Sequence, residues 1–167
     1  LGVMGRSLAL NIARNGYSVS GYDIDPETRQ KAKTVSDGKG VEIISSLSAF
    51  LDSLDLPRKI LLMVPAGRAV DSVLADLFPK LDAGDIVIDG GNSYFSDTTR
   101  RTQEADERGI LYVGAGISGG EEGALWGPSI MPGGHETAWP QIQPLLQNIS
   151  AKAEGEPCCD WIGPEGS

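Results

Sequence analysis

The sequence of 167 residues has the length of one ordinary domain. Its 14 basic and 23 acidic residues give a net charge of −9 at pH 7, which argues against nucleic acid or an anionic membrane surface as the main partner. No apolar run approaches the ~18 residues needed to cross a bilayer. The only cysteines, Cys158 and Cys159, are adjacent and suit a reducing compartment, so a cytoplasmic location is expected.

Strands and helices are predicted to alternate along most of the chain. Helices are expected where apolar residues recur at helical spacing, and strands where short apolar or alternating runs end in turn residues. In chain order the prediction is a helix at 5–13, a strand at 17–23, a helix from Pro26, a strand at 41–44, a helix at 47–54, a strand at 59–64, a helix at 70–78, a strand at 85–89, a helix at 98–108 and a strand at 110–113. This alternation indicates an α/β fold, a Rossmann-type doubly wound and mostly parallel sheet.

The chain begins with half of a phosphate-binding motif. Gly2-Val3-Met4-Gly5 matches the second half of G-x-G-x-x-G, in which backbone N–H groups at a helix start bind a pyrophosphate. The first glycine and the preceding strand would stand before residue 1, so the first strand of the sheet is expected to be missing from the chain. A plain turn is the alternative interpretation of half a motif.

Asp23 lies at the end of the next predicted strand, roughly 20 residues after the glycines, where an acid receives the ribose hydroxyls of a dinucleotide. Alternatively, Asp23-Ile24-Asp25-Pro26 simply begins a helix, with Asp25 as the N-cap and Pro26 at the first helical position. We expect both, with Asp25 capping the helix and Asp23 facing the cofactor.

Two glycine-rich segments follow strands in the second half of the chain. Asn92 comes after Gly90-Gly91 at the carboxyl edge of the predicted sheet, where open α/β sheets bind ligands. Turn chemistry alone is the alternative there. Residues 114–124 also follow a strand, and the N–H groups of residues 118–120 at a helix start would form a nest for a carboxylate or phosphate.

Taken together, these strings resemble the N-terminal coenzyme-binding domain of the 6-phosphogluconate dehydrogenases. The resemblance covers essentially the whole chain and is carried by residues 88–93 with Asp97-Thr98, residues 116–124, residues 127–134 and residues 158–161. It implies a dinucleotide-binding domain at 1–167 and the oxidative decarboxylation of 6-phosphogluconate to ribulose 5-phosphate, a step of the pentose phosphate pathway, with hydride transfer from C3 to NAD(P).

The resemblance implies coenzyme contacts in three places. They are Leu1, Gly2, Val3, Met4 and Gly5; Asp23, Ile24 and Asp25; and Val64, Pro65, Ala66 and Asn92. The family usually has Asn-Arg-Thr and Val-Lys-Ala where this sequence has Asp23-Ile24-Asp25 and Val64-Pro65-Ala66, so positive charge is lost at both places. NAD is therefore expected to be favoured over NADP, unless Arg29 or Lys31 reaches the 2′-phosphate.

The resemblance also implies the substrate contacts. Asn92 would contact both nicotinamide and substrate, and the carboxylate end of 6-phosphogluconate would bind Ser118, Gly119 and Gly120. The family's general base, a lysine, and its general acid, a glutamate, lie beyond this sequence, so no catalytic residue is expected in the chain and the 167 residues alone are expected to be inactive. Residues 153–167 are expected to be a linker into a helical domain that forms a homodimer.

Two other functions compete with this interpretation. A 3-hydroxyisobutyrate-type dehydrogenase has a similar glycine-rich start and Ser-Gly-Gly loop, although residues 89–92 and 127–134 favour the first family. A dinucleotide-binding sensor without chemistry is the alternative from another class. His135 is expected to be an exposed residue at a helix start rather than a general base, and Cys158-Cys159 to be inert packing residues without metal-ligand spacing.

Overall fold

The computed structural model describes residues 1–164. Within that range the helices are α1 (Val3–Arg14), α2 (Pro26–Ser36), α3 (Leu47–Asp52), α4 (Arg68–Leu77), α5 (Phe95–Asp106), α6 (Gly120–Trp126) and α7 (Trp139–Ile149). The strands of the same range are β1 (Val19–Gly21), β2 (Val41–Ile43), β3 (Lys59–Leu62), β4 (Ile86–Asp89), β5 (Leu111–Ser118), β6 (Ser129–Gly134), β7 (Lys152–Ala153) and β8 (Glu156–Pro157). Every helix and strand predicted from the sequence is present, with shifted ends. None of the helices described has the length and apolar composition of a membrane span.

The strands confirm the predicted, mostly parallel α/β fold. β1 pairs with β2 in parallel, and β3, β4 and β5 form a parallel ladder that ends with the antiparallel β6. Asp89 at the end of β4 pairs with Leu62 on one side and Gly114 on the other, so these parallel strands share one carboxyl edge. Among the described residues β1 and β3 are not paired, so β1–β2 and β3–β6 are separate sheets, and β7–β8 is a third.

Two apolar clusters cover the two faces of the larger sheet. Ile86 and Ile88 of β4 belong to the cluster that includes α1 and α7, whereas Val87 belongs to the cluster that includes α4 and α5. All three side chains are buried. Burial on both faces explains the uninterrupted apolar sequence of this strand, because neither face meets water.

The glycine-rich segment at 114–118 is a strand and not the predicted loop. It extends β5 and pairs with β6, a strand that the sequence analysis did not predict. A β-carbon at Gly114 would lie 2.5 Å from Thr98 Cγ2, and one at Gly116 would lie 2.8 Å from Met131 Cε. These glycines therefore allow α5 and β6 to pack closely, and their role is packing rather than turning the chain.

Residues 153–164 are folded against the sheet rather than extended away from it. β7 and β8 form a hairpin. The amide of Ile130 then donates to the carbonyl of Cys158 at 3.0 Å, and the amide of Ile162 donates to the carbonyl of Pro132 at 2.8 Å. Gly, Pro and acidic residues indicated irregular backbone, but irregular backbone still forms hydrogen bonds to a strand edge. Residues 165–167 lie outside the described range.

Candidate functional site

The amino end of α1 is open. Gly2 is its N-cap, no side chain among the described residues caps it, and a β-carbon on Gly2 would meet nothing within 4 Å. The first-turn N–H groups of a helix have no intrahelical partner and carry partial positive charge. This end therefore suits a phosphate group that approaches the backbone closely.

Met63 connects the start of α1 to the loop after β4. A β-carbon at Gly5 would lie 3.3 Å from Met63 Cβ, and one at Gly90 would lie 2.7 Å from Met63 Sδ and 2.8 Å from Ile117 Cδ1. Gly5 and Gly90 thus allow α1, the end of β3 and the end of β5 to pack together. The open end of α1 consequently lies at the carboxyl edge of the larger sheet.

Asp23 lies beside the start of the chain, as expected for an acid near the phosphate loop. Its Oδ2 lies 2.6 Å from the backbone nitrogen of Leu1, and its Oδ1 accepts a hydrogen bond from the amide of Asp25 at 2.9 Å. The side chain is 20% exposed. A carboxylate therefore stands next to the residues that precede α1, accessible to a ligand there.

Asp25 caps α2 as predicted from the sequence. Its carboxylate accepts hydrogen bonds from the amides of Glu27 and Thr28 at 3.2 and 3.0 Å. A hydrogen bond from the Thr28 hydroxyl, together with that from the Glu27 amide, lowers the pKa of Asp25, so it is ionised at neutral pH. Ile24, between the two acids, is 81% exposed and offers no charge to an anion.

Arg29 brings a positive charge to the same turn. Its Nη1 donates to the carbonyl oxygens of Asp23 at 2.6 Å and Ile24 at 3.1 Å, and its guanidinium carbon lies 5.9 Å from the centre of the Tyr22 ring. The positive charge of Lys31 also lowers the pKa of Asp25. Arg29 is thus held at the turn by backbone carbonyls.

The loop after β3 contacts the loop after β4. A β-carbon at Gly91 would lie 2.5 Å from the carbonyl oxygen of Val64 and 3.7 Å from the amide nitrogen of Ala66. The amide of Gly90 also donates to the carbonyl of Leu62 at 2.9 Å. Residues 64–66 and Gly91 therefore pack without space for a side chain, and they bring the predicted coenzyme loop close to Asn92.

Asn92 is bound to the end of β5. Its Oδ1 accepts a hydrogen bond from the amide of Ile117 at 2.8 Å, and its Nδ2 donates to the carbonyl of Ile117 at 3.2 Å. Its φ of 55° is uncommon for a residue with a β-carbon, but Asn tolerates it better than most. This pairing places Asn92 beside the residue that precedes Ser118, so two of the four predicted substrate contacts lie close together.

Residues 118–120 form the turn from β5 into α6 and are exposed. Gly119 has φ 133° and Gly120 has φ 62°, and a β-carbon at Gly119 would lie 2.9 Å from Gly123 Cα. Only glycine can occupy position 119 without backbone strain. Asn11 of α1 holds α6 in place, because its Nδ2 donates to the carbonyls of Ala124 at 3.1 Å and Ile149 at 2.9 Å.

A buried polar network beneath residues 90–93 was missed by the sequence analysis. Asp89 Oδ2 accepts hydrogen bonds from the Ser93 hydroxyl at 2.6 Å and the Tyr112 hydroxyl at 2.9 Å, and Asp89 Oδ1 accepts one from the Gly91 amide at 2.9 Å. Burial and the negative charge of Asp89 raise the pKa of Tyr112, so its hydroxyl remains a donor. Arg101 Nη1 lies 3.4 Å from Asp89 Oδ2.

One signal in the sequence could have identified Arg101. Thr98, Arg101 and Ala105 share one face of α5 at helical spacing, and all three are buried. An arginine on the apolar face of a helix needs a buried acid as partner. Asp89, the last residue of the apolar strand β4, is that acid.

Other residues singled out in the sequence lie away from this edge. His135 follows β6 beside the opposite end of β5, where its Nε2 lies 3.0 Å from Asp106 Oδ1. Cys159 is buried, and burial raises the pKa of its thiol to about 12, so the thiol stays protonated at neutral pH. Residues 1–164 contain no group of three or more potential metal ligands.

Comparisons with known proteins identify close relatives. The family model for the NAD-binding domain of 6-phosphogluconate dehydrogenase matches residues 1–163. The NADP(+)-dependent, decarboxylating 6-phosphogluconate dehydrogenase of Bacillus subtilis is 51% identical over 167 residues, which are 100% of this chain and 36% of that protein. The chain thus spans about a third of the length of the curated relatives that it matches.

Solved structures show the same fold. A Plasmodium falciparum 6-phosphogluconate dehydrogenase, studied without ligand, with its cofactor NADP+ and with its substrate 6-phosphogluconate, is similar with a TM-score of 0.93 and 34% identity, over 99% of this chain and 36% of that one. The 3-hydroxyisobutyrate dehydrogenase of Mycobacterium tuberculosis has a TM-score of 0.81 and 24% identity, over 99% of this chain and 53% of that one. At that identity the second likeness shows the fold alone.

Proposed function

The chain belongs to the 6-phosphogluconate dehydrogenase family, whose NAD-binding domain it matches, and we propose that the protein oxidatively decarboxylates 6-phosphogluconate to ribulose 5-phosphate. The observation that supports this most is the pairing of Asn92 with Ile117. It brings the loop after β4 and residues 118–120 together, at the edge where α1 has its open end. A dinucleotide and a small anionic substrate would then meet at one sheet edge.

The residues at this edge fit a dinucleotide. The uncapped start of α1, with Gly2 unobstructed, suits the pyrophosphate, and Asp23 lies beside Leu1, where it would accept hydrogen bonds from ribose hydroxyls. Residues 64–66 would contact the coenzyme from the neighbouring loop. When bound, the coenzyme would supply the hydride acceptor for C3 of the substrate. The proton of the 3-hydroxyl would pass to the family's base, and the 3-keto acid would lose carbon dioxide to give an enediol that the family's acid protonates.

The substrate would bind on the other side of Asn92. Ser118, Gly119 and Gly120 are exposed, and their N–H groups and the Ser118 hydroxyl would bind the carboxylate end of 6-phosphogluconate. Asn92 has a second amide hydrogen and a second oxygen lone pair beyond those that bind Ile117, which would orient nicotinamide and substrate. The lysine base and glutamic acid of the family would come from outside residues 1–167.

The experiment is a turnover assay of the protein expressed from its complete gene. Reduction of coenzyme and release of carbon dioxide are measured with 6-phosphogluconate and, separately, with 3-hydroxyisobutyrate. We expect turnover with the first substrate alone. Turnover with 3-hydroxyisobutyrate instead would support the runner-up, and coenzyme binding without turnover of either would support the sensor.

We propose NAD as the preferred coenzyme. Asp23 and Asp25 would face the 2′-phosphate of NADP with like charge, and Ile24 offers no compensation. After solvent screening, the preference expected from this repulsion is on the order of tenfold. The B. subtilis relative is named NADP-dependent, so the preference would be a property of this turn. Values of kcat/KM with both coenzymes test it.

The remaining proposals concern the whole protein. We propose a cytoplasmic enzyme that forms a homodimer through a helical domain like that of the family. Light scattering of the complete gene product measures its mass in solution. A monomeric mass would contradict the dimer.

A further inference from the structure

Arg101 joins two loops at the candidate site. Its Nη2 donates to the carbonyl of Gly67 at 3.0 Å, its Nη1 donates to the hydroxyl of Ser93 at 3.0 Å, and its Nε donates to Asp71 Oδ1 at 2.8 Å. The side chain is 0% exposed. Gly67 ends the loop after β3, and Ser93 follows Asn92 in the loop after β4, so one guanidinium is bonded to both loops.

The charge on this side chain is balanced inside the protein. Burial opposes the charge, but the hydrogen bond to Asp71 and the negative charges of Asp71 and Asp89 raise the pKa of Arg101. Removal of one partner from a buried ion pair is strongly destabilising, whereas an intact pair adds little stability over apolar packing. A structural requirement alone therefore explains poorly why an ionised group lies here.

The geometry of the guanidinium supplies the reason. Its three nitrogens donate in three directions from one plane, to Gly67, Ser93 and Asp71. Ser93 in turn donates to Asp89, whose other oxygen accepts from the amide of Gly91. The orientation of the backbone on both sides of Asn92 is thus fixed relative to Gly67.

We propose that Arg101 is a positioning residue that holds the coenzyme loop, residues 64–67, and the Asn92 loop, residues 90–93, at a fixed distance from each other. This inference rests on the proposed function, because it assigns coenzyme contacts to the first loop and contacts to both ligands to the second. Hydride transfer requires the positions of the donor and acceptor carbons to be fixed to within a fraction of an ångström. The hydrogen bonds from one guanidinium to both loops would provide that alignment before the ligands bind.

The chain contains a matched control at the opposite edge of the same sheet. Arg58 precedes β3, and its Nη1 lies 2.8 Å from Asp85 Oδ2, just before β4, with Asp85 only 1% exposed. This pair also joins the segments that carry β3 and β4, but at their amino ends. Substitution of Arg58 therefore disturbs an ion pair of the same kind, remote from Asn92.

The experiment compares Arg101→Lys with Arg58→Lys in the protein expressed from its complete gene. Lysine keeps the charge but cannot reach three acceptors in a plane. In Arg101→Lys we expect kcat to fall by about tenfold or more, with the KM values for substrate and coenzyme changed less than about threefold. In Arg58→Lys we expect kcat and KM close to wild type despite a loss of Tm. Equal kcat in the two variants would overturn the proposal.

Hydrogen exchange gives a readout that does not require activity. Exchange at residues 64–67 and 90–93 should accelerate together in Arg101→Lys and stay unchanged in Arg58→Lys. If the wild type does not oxidise 6-phosphogluconate, the proposed function fails while this exchange still decides the role of Arg101. If Arg101→Lys does not fold, Ser93→Ala removes one of the contacts and should accelerate exchange in both loops, and unchanged exchange in that variant would overturn the proposal.

Discussion

The side chain of Asn92 binds Ile117 in both directions, accepting from its amide at 2.8 Å and donating to its carbonyl at 3.2 Å. A strand end usually makes such contacts with another strand. Here a loop residue with φ 55° takes that place, so the position of the loop is set by β5. Asn92 therefore has a structural role as well as the proposed contact with both ligands, and substitutions can separate the two.

Replacement of Asn92 tests that separation. Asn92→Ala should lower kcat/KM by at least about tenfold and also destabilise the fold, because it removes both hydrogen bonds to Ile117 and because Ala tolerates positive φ less well than Asn. Asn92→Gly should lose as much activity but less unfolding free energy, since glycine adopts this φ without strain. Steady-state kinetics and urea unfolding measure the two effects. Kinetics near wild type in both variants would remove Asn92 from the site, and the same outcome for Ser118→Ala would remove Ser118.

Substitutions of Gly2 and Gly5, at the start of α1, should have different effects. Gly2→Ala should leave Tm nearly unchanged, because a β-carbon there meets nothing within 4 Å, but should raise the Kd for coenzyme by blocking its approach. Gly5→Ala should lower Tm, because its β-carbon would lie 3.3 Å from Met63 Cβ, which moves only with the backbone, and we expect that strain to exceed the helix propensity gained over glycine. Thermal unfolding and coenzyme titration distinguish the two. An unchanged Kd in a folded Gly2→Ala protein would contradict the phosphate-binding role.

The turn after β1 should control coenzyme choice. Asp23→Asn combined with Ile24→Arg removes one like charge and adds a donor for the 2′-phosphate, so the ratio of kcat/KM for NADP to that for NAD should rise. The magnitude expected from the charge argument is on the order of tenfold or more. Arg29→Gln in the wild-type background is the control, because its guanidinium is engaged by two carbonyls. If Arg29→Gln lowers kcat/KM for NADP more than kcat/KM for NAD, Arg29 binds the 2′-phosphate.

Alkaline pH should destabilise the protein through Cys159. Burial, with the charge of Asp160, raises the pKa of its thiol from 9.0 to about 12, so the folded state keeps a proton that the unfolded state loses. The stability from this group is fully present below about pH 9 and falls as pH rises toward about 12. Cys159→Ala should flatten the fall of the unfolding free energy over that window. An unchanged slope in the variant would contradict the assignment.

The fold was largely readable from the sequence, since apolar runs such as 86–88 and helical periodicity such as Val70, Leu74 and Leu77 are local signals. Asp23 and Asn92 were predicted as site residues by the same logic, because each follows a predicted strand. β6 was not, because Pro132 and its neighbouring glycines suggest a turn until β5 is seen beside them. The contacts of Arg101 with Gly67, Ser93 and Asp89 join three segments, and no local pattern records which buried groups meet.

The segment that follows the β7–β8 hairpin has a consequence for behaviour at high concentration. Residues 158–163 bond to the outer side of β6 through Ile130, Pro132 and Gly134, so that strand does not present an open edge. An open edge strand is a template on which a second chain adds its own strand, the first step of aggregation. A chain cut before Cys158 should therefore lose monodispersity before it loses its helices.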